Sequence, residues 1–216
     1  LFPYTTLFRS PPYSKGQEDA NDNNQNLEYP SLDRRIRETY AARSSATNKN
    51  TLYDSYIRAI RWASDRIKSN GVIGFVTNGG FVDGNAADGL RKCLADEFSN
   101  LYVFHLRGNQ RTAGELSRKE GGKIFGGGSR APIAISILVK NPKAARRGQI
   151  HFHDIGDYLS REEKLETIAT LASIDGISNG PGWRLIVPDA HGDWLKQRDT
   201  SFAAHVAIGD KDGSEA

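Results

Sequence analysis

Methionine is absent from all 216 residues, position 1 included. A natural chain is expected to begin with one, so the sequence reads as an internal piece, truncated at both ends. Cysteine is almost absent. Cys93 alone rules out an intrachain disulfide framework and a zinc site built on cysteines, so no disulfide partner is expected. The same scarcity predicts a reduced, cytoplasmic setting. No apolar run approaches the ~18 residues of a membrane-spanning helix. The first residues also lack the charged, apolar and cleavage-site order of a signal peptide, so no membrane partner is expected. Neither sign of charge dominates: 29 Lys+Arg against 26 Asp+Glu leave +3. A balance this mild permits a nucleic-acid partner without requiring one, because clustering of the cations matters more than their sum.

What is present orders itself along the chain. Residues 1–10 resemble the read-through of a sequencing-library adapter and are set apart from the fold; the competing reading is a short natural strand. Residues 14–31 are polar, with four Asn among positions 21–26, and predict a loop. Ser31 is a candidate cap for a short helix carrying Leu32, Ile36 and Tyr40. Thr51 to Lys68 predicts an amphipathic helix with Leu52, Tyr56, Ile60, Ala63 and Ile67 on one face. Thr51 and Asp54 have the spacing of a capping box there, and Trp62 reads as packing. Val72 to Thr77 is a short apolar run of the kind that forms a strand buried on both faces. Asn85 to Phe98 predicts a second helix, with Cys93 as a small core residue, and Leu101 to Leu106 a second buried strand. Helix–strand alternation implies a parallel sheet with crossover helices.

A 24-residue segment follows, 107–130, holding Arg107, Arg111, Arg118, Lys119, Lys123 and Arg130 against only Glu115 and Glu120. A long cationic loop beyond the carboxyl ends of strands suits contact with DNA phosphates; a solvated charged loop is the plainer reading. Gly126-Gly127-Gly128-Ser129 precedes a strand rather than a helix, so it reads as a hairpin hinge and not a phosphate cradle. Ile133 to Lys140 predicts a third strand, antiparallel to 101–106 because no helix separates them. Gln149 to Ile155 alternates like a further strand, whose His151 and His153 read as surface positions rather than metal ligands. Residues 161–173 predict a helix with Leu165, Ile168 and Leu171 inward. Residues 174–216 show no sustained period.

Pro11-Pro12-Tyr13 precedes this whole order of long helix, buried strand ending Thr77-Asn78, helix with Leu90-Arg91, and strand. Taken together the order resembles the second half of an amino-group DNA methyltransferase that uses S-adenosylmethionine. Phe75-Val76-Thr77-Asn78-Gly79-Gly80-Phe81, Arg107-Gly108-Asn109-Gln110-Arg111 and Gly121-Gly122-Lys123-Ile124-Phe125 are similar to the methyltransferase portion of type ISP restriction–modification enzymes, as is Leu52-Tyr53-Asp54-Ser55-Tyr56. Gly192-Asp193-Trp194-Leu195 with Gln197-Arg198-Asp199 resembles the start of their target-recognition region.

The resemblance implies an α/β, Rossmann-like methyltransferase fold, with a mostly parallel sheet and an antiparallel strand near its edge. It implies a catalytic half at 11–142 and the start of the specificity region at 143–216. The partner is double-stranded DNA, and the reaction is methyl transfer to the N6 of a flipped-out adenine. Pro11, Pro12 and Tyr13 become the catalytic motif, with Tyr13 stacking on the base; Ser10 stands where the family carries Asn, and some cytosine-N4 relatives carry Ser there. A second stacking aromatic, which some relatives place near the end of the strand closing at Lys140, has Leu138 as its nearest position here. The glycine-rich cofactor motif is not within these residues, so the piece is expected not to bind S-adenosylmethionine well by itself. ATP and Mg would serve only translocase and nuclease parts, and no metal is implied for this segment. A non-catalytic DNA-binding module on the same fold is the alternative reading, and a dinucleotide-binding enzyme of similar topology a third.

Overall fold

A computed structural model describes residues 5–9, 28–125, 130–198 and 201. Six strands form one sheet: β1 (Thr5–Arg9), β2 (Gly71–Asn78), β3 (Asn100–Arg107), β4 (Ile133–Lys140), β5 (Gln149–Asp154) and β6 (Arg184–Ile186). Their order is β1-β2-β4-β3-β5-β6. Helices α1 (Pro30–Ile36), α2 (Ser55–Arg66) and α3 (Asp88–Glu97) precede β3 in the chain. Helix α4 (Gly114–Glu120) lies between β3 and β4, and α5 (Arg161–Leu171) with α6 (Ile174–Asn179) between β5 and β6.

β4 runs antiparallel to both β2 and β3, with Asn78 opposite Ile133 and Gly71 opposite Lys140. The antiparallel pairing with β3 is the expected one, although its premise fails: the connection is long and carries the short helix α4. Its position corrects the expected architecture: the reversed strand lies in the middle of the sheet, not near its edge. Three of the five pairings are antiparallel, so the sheet is mixed rather than mostly parallel. Thr5–Arg9, set apart as adapter-like, pairs in parallel with β2 from Thr5–Gly71 to Arg9–Phe75. The sheet also continues past position 142, since β5 pairs in parallel with β3 and β6 closes on β5.

Both faces are covered, which is why β2, β3 and β4 read as near-continuous apolar runs. On one face Ile73, Phe75, Leu101, Val103, Leu138 and Phe152 pack with α1, α2 and α3. On the other, Phe104, Leu106, Ile133 and Ile155 meet Ile168 and Leu171 of α5 and Ile177 of α6. At ~1.5–3 kcal/mol for each large apolar side chain buried, this two-sided core dominates the favourable side of folding.

Helix starts differ from the expected ones in an instructive way. The first helix is capped at Tyr29 with Pro30 in its first turn, not at Ser31. Asn50–Tyr53 is a separate tight turn, so Asp54 stands at the cap of α2 and the Thr51–Asp54 box does not form. Tyr56, Ile60 and Ala63 keep the inward face that periodicity predicts, joined by Ile57 and by Arg61, which clamps Glu97 of α3 at 2.6 and 3.0 Å. Gly89 is needed on α3 because a Cβ there would lie 1.9 Å from the Tyr40 carbonyl oxygen. Cys93 is buried, as expected of a core residue. Trp62 packs against the core with the Arg66 guanidinium 4.0 Å above its ring.

Candidate nucleic-acid interface

β2 and β3 end, and β4 begins, at one edge of the sheet. The turn that follows β2 is tightly held there: Gly79 N–H donates to the Pro132 carbonyl at 2.8 Å and Gly80 N–H to Asn78 Oδ1 at 2.8 Å. A Cβ on Gly79 would press on the His105 ring at 3.1 Å, so glycine permits this close approach. Beyond the turn opens a cavity of about 760 Å³, walled by Ser45–Asn48, Thr51, Asp54, Tyr56, Ile57, Asn78, Gly80, residues 83–87, Asn109, Arg111, Pro132 and Arg198. That volume lies within the ~300–1,000 Å³ typical of ligand sites. Four asparagines (Asn48, Asn78, Asn85 and Asn109) give the lining both donors and acceptors.

The six cations of 107–130 separate into different roles. Arg107 ends β3 at φ 56, beside a register shift against β4. Its Nε donates to Asp154 Oδ1 at 2.7 Å and its Nη1 to Asp157. Burial pushes the Asp154 carboxyl up, but polar contacts with His105 and Arg107 outweigh it and hold the group well below the usual carboxylate range. Arg107 is thus neutralised within the fold, which departs from its expected place among the phosphate contacts. Arg118 pairs with Glu115 at 2.7 Å on the same helix, and Lys119 lies 3.7 Å from Asp157. Such exposed pairs contribute ~0–1 kcal/mol and exchange readily for phosphate. Arg130 donates to the Gln110 carbonyl at 3.0 Å. Arg111 and Lys123 form no ion pair with a described residue, and Arg111 lines the cavity.

The cationic segment is a built structure rather than a free loop. Besides α4, Gly108 N–H donates to the Glu120 carbonyl at 3.1 Å and Asn109 N–H to Glu120 Oε2 at 2.9 Å. Gly121 adopts φ 65 with its Cβ position 2.1 Å from the Leu159 carbonyl oxygen, so no other residue fits there. Lys164, fully buried, donates to the carbonyls of Glu120 and Gly122, both at 2.7 Å. Sequence periodicity missed this anchor because it placed Leu165 inward, whereas Leu165 is exposed. The available signal was the spacing of Lys164 to Ile168 and Leu171, four and three residues apart on one helical stripe.

Burial pulls the Lys164 ammonium down to about 8, against the raising effect of the Glu120 carboxylate. Lysine titration by NMR is expected to find that midpoint. The unfolded chain then holds this proton more firmly than the folded one, so the Lys164 contribution to stability rises as pH climbs from about 8 towards 10.5. Urea unfolding of wild type against Lys164→Met across that range checks the sign. At pH 7 the substitution is expected to cost about 1–3 kcal/mol, because two buried carbonyls lose their donor.

Ser10, Pro11, Pro12 and Tyr13 lie outside the described residues, as does the glycine run 126–129. β1 runs parallel to β2. Leu138, near the end of β4, is buried and lies at the far edge of the sheet, where Lys140 stands opposite Gly71. His151 stacks on Tyr102, and His153 Nδ1 lies 3.1 Å from the Gly182 carbonyl oxygen. Among the described residues no three His, Cys, Asp or Glu side chains group as a metal site, and no helix is long and apolar enough to cross a membrane.

No family model and no curated protein matches the chain. Solved structures do. A nuclease-deletion mutant of the type ISP restriction–modification enzyme LlaGI, in complex with a DNA substrate mimic, is 51% identical with a TM-score of 0.84, over 96% of this chain and 16% of that one. The chain matches a region of type ISP restriction–modification enzymes. The ATP-dependent type ISP enzyme LlaBIII bound to DNA is 41% identical with a TM-score of 0.88, over 98% of this chain and 14% of its own length. The DrdV–DNA complex is 37% identical with a TM-score of 0.80, over 91% of this chain and 18% of that one. The chain therefore spans about a sixth of the length of these relatives.

Proposed function

We propose that this chain is the base-facing and DNA-backbone-facing part of a type ISP restriction–modification methyltransferase, acting on the N6 of an adenine flipped out of double-stranded DNA. The observation that carries the reading is the cavity at the carboxyl edge, framed by Asn78, Asn109 and Arg111, in a chain about half identical to an enzyme captured on a DNA mimic. The strand order also supports it. A reversed strand inserted between two parallel ones, in the order β1-β2-β4-β3, suits the Rossmann-like methyltransferase fold that the motifs imply.

In this reading the cavity receives the extruded base and adjoining strand. Asparagine amides offer paired donor and acceptor groups to base edges. Arg111, Arg118, Lys119, Lys123 and Arg130 meet phosphates. Rate comes from holding the amine in line rather than from a strong base. The glycine-rich motif that would hold S-adenosylmethionine is not within this sequence, so no step is derived through the cofactor.

Fluorescence anisotropy of a labelled duplex of about 30 base pairs, titrated with the chain over a range of salt, tests the DNA contact. Affinity is expected to fall with salt, with a logarithmic slope of about 0.9 per phosphate met. Arg111→Ala is expected to reduce that slope by about 0.9, whereas Arg107→Ala leaves it unchanged because its charge is already matched by Asp154 and Asp157. Salt-insensitive binding, or none, defeats the proposal.

A further inference from the structure

Two arginines and two carboxylates alternate behind the cavity wall. Arg91 of α3 is almost fully buried, its side chain 1% exposed. Its Nη1 donates to the carbonyls of Phe81 and Gly84 at 3.0 and 2.8 Å, its Nε to the Gly192 carbonyl at 2.9 Å and its Nη2 to Asp193 Oδ1 at 2.5 Å. One side chain thus ties the turn after β2 to residues beyond β6. Arg198 continues the chain of charges. Its Nε lies 2.8 Å from Asp193 Oδ2, its Nη1 donates to Ser45 Oγ at 2.7 Å and its Nη2 to Asp88 Oδ2 at 3.2 Å. Asp88 Oδ2 also accepts from Ser45 N–H at 2.9 Å and from its hydroxyl at 2.7 Å. Trp194 seals the arrangement, edge-on to Phe81 at 6.2 Å.

Ser45, Gly84 and Arg198 all line the cavity. Its two walls, the loop at 45–48 and the turn after β2, are therefore fastened to the segment 189–198 through these groups. Paired charges taken out of water gain little net stability over apolar packing, but they demand one geometry. Arg198 is one-third exposed while its partners Asp88 and Asp193 are buried, and Asp88 and Asp193 keep Ser45 and Arg91 as partners without it. A guanidinium spanning three partners is better suited to holding a wall than to holding the molecule together.

We propose that Arg198, held by Asp193, Asp88 and Ser45, is a positioning residue that sets the shape of the DNA-facing cavity from the segment 189–198. The inference rests on the reading of that cavity as a DNA site. It makes the segment that resembles the opening of the target-recognition region a part of the pocket itself. Docking of that segment then governs how the cavity meets its strand.

The test uses the same labelled duplex and salt range with Arg198→Gln and Arg198→Lys. Lysine keeps the charge but cannot reach three partners in a fixed fork. Both variants are expected to bind about tenfold more weakly, with the salt slope unchanged and Tm within about 2 °C of wild type. Unchanged affinity in both variants overturns the proposal. So does a slope that falls by about 0.9 in Arg198→Gln and returns in Arg198→Lys, which marks a direct phosphate contact. A variant that does not fold overturns it too, since Arg198 would then hold the fold rather than the wall. Absence of binding by the wild-type chain is a different result, and defeats the DNA reading instead.

Discussion

Arg91→Leu is expected to lower the stability of the chain by about 3–5 kcal/mol, a large share of the ~5–15 kcal/mol that holds a typical domain together. Leucine fills part of the volume and adds apolar surface, so packing loss is not the main term. The cost lies in what is left behind. Asp193 loses its 2.5 Å partner, and the carbonyls of Phe81 and Gly192 lose their donors in buried surroundings, with that of Gly84 at the cavity wall losing its donor as well. Buried acceptors without donors cost about 1–3 kcal/mol each, partly relieved as the turn after β2 relaxes. Arg91→Lys is expected to recover a minority of the loss, because three donors on one nitrogen cannot serve four separated acceptors. Urea unfolding at pH 7 measures both. A loss below about 1 kcal/mol for the leucine variant would mean that the turn and the segment 189–198 hold without Arg91.

Much of the fold was legible because its signals are local. α2, α3, β2 and β3 each advertise themselves by periodicity within a dozen residues. The antiparallel sense of β3 and β4 was expected from a connection without a helix, yet α4 lies in it, so the direction came out right on a premise that the structure does not keep. Where β4 sits did not follow. The choice between the free side of β3 and the gap beside β2 depends on which edges are open, and that is a property of the whole sheet. Residues 5–9 show the same limit: their parallel pairing to β2 is non-local and leaves no periodic mark in five residues.

The candidate site divides in the same way. Counting charges along 107–130 found the cationic segment, because clustering is visible in sequence. Counting could not separate Arg107 from its neighbours, because the acids that neutralise it lie 47 and 50 residues away, at Asp154 and Asp157. Lys164 was hidden for a related reason. A lysine reads as a solvated residue unless the carbonyls that receive it are known, and those of Glu120 and Gly122 come from another part of the chain. Arg91 and Asp193 are about a hundred positions apart, and no local pattern joins them.

Tyr13→Ala is the substitution expected to separate chemistry from folding, within the proposed methyltransferase reading. In an intact enzyme carrying this sequence, methyl incorporation into DNA is expected to fall by about 10–100-fold, since stacking on an aromatic ring is worth about 1–3 kcal/mol per base. Tm is expected to stay within about 2 °C, because an aromatic that serves a base has to leave a face open rather than fill the core. Phenylalanine keeps the ring face and should retain most of the activity, whereas alanine leaves the extruded base without a platform. The fluorescence of 2-aminopurine at the target position distinguishes the step affected. A base that leaves the duplex but is no longer stacked stays bright, so Tyr13→Ala should raise the signal as methylation drops. Full methylation by the alanine variant would remove Tyr13 from the site. A parallel collapse of Tm would place its ring in the core, and the search for the base platform would then turn to Tyr56, the aromatic residue that lines the cavity.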